Sequence, residues 1–145
     1  MAEFLLNALL DQYYINRPEI MPSENPHVNE HAEREWIEQI KSYRESAWCS
    51  YLALYTPKLE EHSEQILYRC YMNSGDAMRI VYETWPVIAR KAAGFNWQGK
   101  GRFYYWTQHF VRNKTLKFIV KENLHSERIE ELVEGYTDTS PSVES

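Results

Sequence analysis

Hydrophobic and polar positions alternate at helical spacing along most of this chain. Apolar residues recur three and four positions apart, and there are few alternating strand-like runs or hairpin dipeptides. The pattern predicts an all-α fold. We expect a compact helical domain of about four to five helices, with a short N-terminal helix and an acidic C-terminal tail.

Prolines, glycines and capping residues set the limits of the predicted segments. Three prolines mark an extended linker near the N-terminus, and two further prolines fall within apolar helical patterns. The predicted helices cover residues 4–14, a segment containing Trp36 to Tyr43, 48–55 up to Pro57, 59–72, 76–93 with Pro86 inside it, 102–123 and a short acidic stretch to 134. The predicted organisation is an N-terminal helix and linker (1–30), a helical domain (31–123), and an acidic helix with a disordered tail (124–145).

Length and composition narrow the class of protein. A chain of 145 residues is long enough for one domain with a real core. Cys49 and Cys70 are too far apart for a CxxC pair, so two buried thiols are expected. No apolar run reaches the roughly 20 residues needed to span a bilayer. The N-terminus lacks the basic start of a signal peptide. These features predict a cytoplasmic protein without a membrane partner.

Charge is concentrated in one segment, residues 87–121. This segment contributes +8 to a chain whose net charge is −5, so the remaining residues carry −13. It contains no Asp or Glu, and its basic residues are Arg90, Lys91, Lys100, Arg102, Arg112, Lys114, Lys117 and Lys121. Its aromatic residues are Phe95, Trp97, Phe103, Tyr104, Tyr105, Trp106, Phe110 and Phe118.

This combination of cations and rings is typical of proteins that bind single-stranded nucleic acid. Cations contact the phosphate backbone, and ring faces stack on unpaired bases. At 100° per residue, one face of the predicted helix 102–123 carries Phe103, Phe110, Lys114, Lys117 and Lys121. A core helix with a solvated lysine end is the alternative, but the absence of acidic residues over 35 positions favours nucleic-acid contact.

Other candidate motifs carry little chemistry. The run from Gly94 to Lys100 has phosphate-loop spacing, but Gly101 replaces the required Ser or Thr, and a helix rather than a strand precedes it. His27 and His31 are four residues apart, yet they do not form an HExxH motif and are expected to be solvated. No catalytic arrangement can be argued from residue order, so we predict no enzyme activity, no cofactor and no metal.

Three short motifs occur in order between residues 43 and 121. They are Trp48-Cys-Ser-Tyr-Leu-Ala-Leu-Tyr-Thr-Pro-Lys-Leu59, Asn73-Ser-Gly-Asp-Ala-Met-Arg-Ile-Val-Tyr-Glu-Thr-Trp85, and Phe95 with a glycine-rich loop, Phe103, Trp106 and Arg112-Asn113. In this order and spacing they resemble the −10-binding (region 2) domain of bacterial sigma factors, especially the extracytoplasmic-function class. The resemblance implies an all-helical transcription-initiation factor.

The resemblance also implies two sets of contacts. The helix from residue 76 would dock on the clamp coiled coil of the RNA polymerase β′ subunit, at or near Asp76, Arg79, Ile80, Glu83 and Trp85. The loop 95–102 and the helix after it would hold the melted non-template strand of promoter DNA, with one base flipped into a pocket. Together with the charge pattern, this gives the candidate nucleic-acid contacts Phe95, Trp97, Lys100, Arg102, Phe103, Tyr104, Trp106, Arg112, Asn113, Lys114 and Lys117.

The chain departs from the family pattern at several positions. Met78 and Arg79 replace a Glu-Asp pair, Tyr82 replaces Gln, and Pro86 interrupts the helix. These changes predict that the polymerase contact is either remodelled or lost. The helix-turn-helix domain that reads the −35 element does not follow. We therefore expect a separate DNA-bound protein to anchor the chain through residues 4–14 or the acidic tail. That protein could be a second sigma-like subunit, an activator or an RNA-guided DNA-binding protein.

The leading hypothesis is a divergent single-domain sigma factor that binds core RNA polymerase and promotes promoter melting. A helical adaptor or polymerase-binding inhibitor without DNA readout is the second hypothesis. A plain single-strand-binding protein is the third.

Overall fold

The computed structural model describes residues 2–15, with side chains from residue 8 onward, as well as residues 26–122 and residue 134. All regular elements in these ranges are helical, which confirms the all-α prediction. The α-helices are α1 (Ala2–Ile15), α2 (Glu30–Lys41), α3 (Glu45–Arg69), α4 (Ala77–Ala92) and α5 (Arg102–Glu122), and a 3-10 turn, Ser74–Asp76, precedes α4. Apart from residue 134, the predicted acidic helix and tail lie outside the described residues.

Helix α3 is continuous through Pro57, where the sequence predicted a break. Proline lacks the N–H that would bond to the carbonyl of Ala53, but its ring lies on the exposed side of the helix. Tyr55 and Leu59, on either side of it, are buried in the same hydrophobic cluster. Packing of this shared apolar face therefore overrides the local helix-breaking preference.

Short, sharply turned connections join the central helices. Asn29 is the N-cap of α2, and its side chain accepts a hydrogen bond from the amide of Ala32 at 2.9 Å. Tyr43 adopts a left-handed φ of 57° between α2 and α3. Its hydroxyl donates to the Ala89 carbonyl at 2.8 Å, and its ring stacks on Trp48 at 6.4 Å. The tertiary contacts of this side chain hold a backbone conformation that is costly for a residue with a Cβ.

Two hydrophobic clusters hold the helices together. The larger one fills the space between α1, α2, α3, α4 and the first half of α5, and it is rich in rings, including Trp36, Tyr51, Trp85 and Phe103. Tyr51 lies near its centre, with ring centroids 4.6 Å from Trp85 and 5.7 Å from Phe103. The smaller cluster joins the ends of α3 and α5 to the start of α4.

Helix α5 contributes to both clusters, so its buried side rotates along its length. Phe103 and Trp106 are buried in the larger cluster, whereas Leu116 and Ile119 are buried in the smaller one. Phe103 and Lys117 therefore share one face of the helix by angular position, yet the first is buried and the second is exposed. The face predicted from a constant 100° per residue is therefore buried near the start of α5 and exposed near its end.

Helix α1 packs against α3 and α4. Leu9, Leu10 and Tyr13 are buried in the larger cluster. The hydroxyl of Tyr82 on α4 donates to the Asp11 carboxylate at 2.6 Å. These apolar residues in the second half of α1 are therefore already packed within the chain. None of the described helices combines the length and apolar character needed to cross a membrane.

Candidate nucleic-acid interface

The loop between α4 and α5, residues 94–101, is called the glycine loop below. Gly99 and Gly101 have φ values of 136° and 82°, a region in which side chains with a Cβ are strained. The loop then enters α5, where the amide of Arg102 donates to the Gly99 carbonyl at 3.2 Å. The two glycines thus provide a tight turn into the helix, a role unrelated to phosphate-loop chemistry.

A fully buried carboxylate, Glu33 on α2, anchors this loop. The indole N–H of Trp97 donates to Glu33 Oε1 at 3.1 Å. The backbone amide of Gly101 points at both carboxylate oxygens, at 3.2 and 3.3 Å. His27 Nδ1 lies 2.7 Å from Glu33 Oε2. These hydrogen-bond partners offset the free-energy cost of removing the carboxylate from water.

The position of Glu33 also suits the electrostatics of α5. Gly101 immediately precedes the first residue of α5, so the Glu33 carboxylate lies at the positive end of the helix dipole. A buried negative charge at this position stabilises the start of α5 and fixes the path of the glycine loop.

His27 extends this network to α3. The Tyr55 hydroxyl lies 3.0 Å from His27 Nε2, and the two rings stack at 5.7 Å. Burial raises the pKa of Tyr55 well above its ordinary value of 10, and the Glu33 charge raises it further. The phenol therefore remains protonated. His27 was expected to be solvated, but its bonds to Glu33 and Tyr55 hold it partly buried. His31, also expected to be solvated, is exposed and lies 3.7 Å from Glu35. The described residues hold no group of three or more potential metal ligands.

Two half-buried rings beside the glycine loop are each covered by a cation. The Arg34 guanidinium lies 4.8 Å from the centre of the Trp97 ring. The Lys58 ammonium lies 5.8 Å from the centre of the Tyr104 ring. Both distances fall within cation–π range. Positive charge from α2 and α3 therefore joins that of Lys100 and Arg102, which are exposed at the end of the loop.

Three of the predicted ring contacts prove to be core residues. Phe95, Phe103 and Trp106 are almost completely buried and pack on one another at centroid distances of 5.0 to 5.7 Å. They offer no ring face at the surface, so direct stacking on a base by these three side chains is not supported. Aromatic composition alone did not separate them from Trp97 and Tyr104, which remain partly exposed.

The predicted cations do not form one patch either, because they lie on opposite sides of α5. Arg112 is on the side of α5 that faces α3, close to Gln108 and His62. Lys114, Lys117 and Lys121 are on the side that faces α4. We call these surfaces the α3–α5 face (Lys58, His62, Tyr104, Gln108 and Arg112) and the α4–α5 groove (Arg79, Ile80, Glu83, Lys114, Lys117, Phe118, Lys121 and Glu122).

The α3–α5 face contains a polar chain beside Tyr104. Gln108 Nε2 lies 3.3 Å from His62 Nδ1, and Arg112 Nη2 donates to Gln108 Oε1 at 3.5 Å. Burial first and the Arg112 charge second lower the pKa of His62 from 6.5 to about 4. His62 is therefore neutral at neutral pH. Arg112 and Lys58 supply the positive charge of this face. Asn113, half-buried, lies 3.1 Å from His109 Nε2.

The α4–α5 groove brings the two predicted sites together. It has a volume of about 170 Å³ and is lined by predicted polymerase contacts as well as predicted DNA contacts. Arg79 lies 3.8 Å from Glu83 and 5.4 Å from the centre of the Phe118 ring. Two other predicted polymerase contacts, Ile80 and Trp85, are almost fully buried and have no surface to present to a partner. Asp76 is half-buried.

Several cations near these surfaces have no carboxylate partner within the central described range. Within residues 26–122, no Asp or Glu lies within 4 Å of the charged groups of Lys100, Arg102, Arg112, Lys114, Lys117 or Lys121. Lysines three and four residues apart on a helix repel one another. A polyanion bound beside them would relieve that repulsion and release counterions.

Sequence reasoning missed the residues that organise the site. Arg34 and Lys58 lie outside the acid-free segment, so charge counting did not find them. Glu33 left a readable signal, because it shares the apolar face of α2 with Trp36, Ile37 and Ile40. A carboxylate on a helix's buried face requires internal donors, and that requirement points to a buried network.

Comparisons of this chain with protein-family models, with curated proteins and with solved structures gave no match.

Proposed function

We propose that this chain is a sigma-like factor that binds core RNA polymerase and holds unpaired non-template DNA at the glycine loop. One observation carries the proposal: partly exposed rings and cations meet where the loop enters α5. Trp97 and Tyr104 provide the rings. Arg34, Lys58, Lys100 and Arg102 provide positive charge around them.

The chemistry of this surface favours an unpaired strand over a duplex. In a duplex the base faces are already stacked, so rings such as Trp97 and Tyr104 gain little from them. In a single strand each exposed base can stack on a ring for about 1–3 kcal/mol, while nearby cations contact the phosphates. Arg112 extends the charge along the α3–α5 face. Binding only the opened strand would couple recognition to melting, and polymerase would perform the chemistry.

The α4–α5 groove is the proposed polymerase side. Arg79 and Glu83 are exposed there, and both belong to the polymerase contacts implied by the resemblance. Because Ile80 and Trp85 are buried, we assign them the role of holding α4 in place. Lys114 and Lys117 lie in the same groove. They therefore suit an acidic surface of the polymerase better than the strand held on the other side of α5.

An anchoring protein bound to neighbouring DNA remains part of the proposal. A tether raises the local concentration of this chain at a promoter without adding DNA contacts. Among residues 8–15 of α1, Asp11 and Gln12 are exposed and available for such a tether, whereas Leu10 and Tyr13 are buried.

The test is transcription by purified core RNA polymerase on a template with a pre-melted bubble. We expect this chain to co-migrate with core polymerase and to increase transcription from the bubble. Co-migration without increased transcription would contradict the sigma-like role.

A polymerase-binding adaptor or inhibitor is the second candidate. It is favoured by one observation, the mixed charge of the α4–α5 groove, where Glu83 and Glu122 lie among the basic residues. Such a surface suits a protein partner better than phosphates. Repression in the same bubble assay would identify this alternative.

A further inference from the structure

We propose that Glu33 is a positioning residue that prepares the glycine loop to receive a strand. The inference rests on the proposed function for the identity of the ligand, but its structural part can be measured without any ligand. Glu33 belongs to no motif in the sequence, and it lies in the most acidic helix of the described core.

Glu33 controls the two ends of the loop segment that matter for binding. At one end it accepts the indole N–H of Trp97, which sets the plane of a half-exposed ring. At the other it accepts the Gly101 amide, which sets where α5 begins and where Arg102 projects. A single carboxylate therefore links the orientation of a stacking surface to the position of a phosphate contact.

The neighbouring residue completes the hold on the ring. Arg34 follows Glu33 on α2, and its guanidinium covers one face of Trp97 at 4.8 Å. The indole is thus fixed at its N–H edge and on one face. Trp97 also packs against the larger hydrophobic cluster and keeps part of its surface exposed, and the side chain over its ring is a cation.

A chain of side-chain contacts lies behind Glu33. His27 lies against the same carboxylate, and Tyr55 lies against the far nitrogen of His27. Tyr55 in turn packs edge-on against Tyr104 at 5.1 Å. The two half-exposed rings of the proposed site, Trp97 and Tyr104, are therefore joined through one buried chain. Such preorganisation reduces the entropy lost when a ligand binds.

Glu33→Gln tests this role. Glutamine has nearly the same shape but no charge. Its one carbonyl oxygen can make only weaker, neutral hydrogen bonds to Trp97 and Gly101, and the NH₂ group in place of Oε2 cannot accept from Gly101. We expect amide hydrogen exchange at Gly101 to accelerate at least about 10-fold, while core amides of α3 keep their protection. Affinity for a fluorescein-labelled single-stranded 12-mer should fall about 10-fold, the equivalent of one charge-assisted hydrogen bond.

The salt dependence separates positioning from direct phosphate contact. The slope of log affinity against log salt should be unchanged in Glu33→Gln, because no cation is removed. Glu35→Gln is the matched control on the exposed side of α2, and it should match the natural chain in both measurements.

The outcomes are distinguishable. A protected Gly101 amide, or unchanged strand affinity, in folded Glu33→Gln would overturn the positioning role. If the natural chain shows a protected Gly101 amide but no affinity for the 12-mer, the proposed function fails and the loop anchor stands.

A second variant applies if Glu33→Gln does not fold. Trp97→Phe keeps an aromatic ring and removes only the indole donor to Glu33. We expect weaker strand binding with an unchanged salt slope and a Gly101 amide that stays protected. Full affinity in Trp97→Phe would contradict the claim that the Glu33 bond positions the ring.

Discussion

At the level of single residues, neighbouring aromatic side chains in α5 have opposite roles. Phe103 is completely buried among the rings of α2 and α3, whereas Tyr105 is 53% exposed two positions later. The distinction matters because only an exposed ring can stack on a base. The two rings differ in exposure because their side chains point to opposite sides of the helix.

We expect Phe103→Ala to lower the free energy of unfolding by about 3–5 kcal/mol, because it leaves a cavity among closely packed rings. Tyr105→Ala should change it by no more than about 0.5 kcal/mol. Urea denaturation of both variants measures this difference. Equal and small effects would contradict the placement of Phe103 in the core.

His62 makes stability depend on pH. Its folded pKa is about 4, below its ordinary value of 6.5, so the unfolded chain binds the proton more readily. The free energy of unfolding should therefore fall as pH decreases from about 6.5 to about 4 and be insensitive to this group at higher pH. The pKa of His109 is also lowered, by burial first and by the Arg112 charge second.

His62→Gln should reduce this dependence, since glutamine does not titrate and still pairs with Gln108. Urea denaturation at pH 7 and pH 4.5 gives the change in unfolding free energy for each protein. The drop should be smaller in His62→Gln than in the natural chain. Identical drops would show that His62 is not held neutral by its surroundings.

At the level of helices, tertiary packing keeps α3 helical at Pro57 although proline disfavours a helix interior. Pro57→Ala should raise the free energy of unfolding by about 1–2 kcal/mol. Alanine restores a backbone hydrogen bond and has a helix propensity about 3 kcal/mol more favourable than that of proline. Removing the proline also raises the entropy of the unfolded chain, which offsets part of this gain. Urea denaturation measures it, with the exposed Glu61→Ala as a control on the same helix. A loss of stability would mean that the proline suits a local bend in α3.

Helix α1 belongs energetically to the core. Leu10→Ala should lower the free energy of unfolding by about 2–5 kcal/mol, because Leu10 is buried against α3 and α4. Gln12→Ala, on the exposed side of the same helix, should have little effect. A Leu10→Ala variant as stable as the natural chain would show that α1 detaches without cost.

Much of this architecture was readable from the sequence, for identifiable reasons. The apolar periodicity of α4 and the glycines before α5 predicted both helices within a residue or two of their observed limits. The burial of Phe95, Phe103 and Trp106 could not be predicted from the sequence. Rings and cations are mixed throughout the acid-free segment, so the pattern does not separate core positions from surface positions. The Glu33 network depends on residues from three distant segments meeting in space, which spacing along the chain does not reveal.

At the level of the whole molecule, α5 separates two cationic surfaces. Arg112→Ala should reduce the salt slope for single-strand binding by about 0.7, the value of one phosphate contact. Lys117→Ala removes the same charge from the opposite side of α5, so it should leave that slope unchanged and weaken co-migration with core polymerase. Fluorescence anisotropy at several salt concentrations measures the slopes. Equal effects of the two variants on the slope would mean that the strand does not distinguish the two sides.

The most direct test of the proposed site is binding of one oligonucleotide in two forms, single-stranded and annealed to its complement. Fluorescence anisotropy would give both affinities for the natural chain and for a Lys100→Ala, Arg102→Ala double variant. We expect the natural chain to bind the single strand at least about 10-fold more tightly than the duplex, the worth of one stacked base. The double variant should bind the strand more weakly, with a flatter salt slope. Equal affinity for the two forms, or a double variant that binds like the natural chain, would contradict a site for unpaired DNA at the glycine loop.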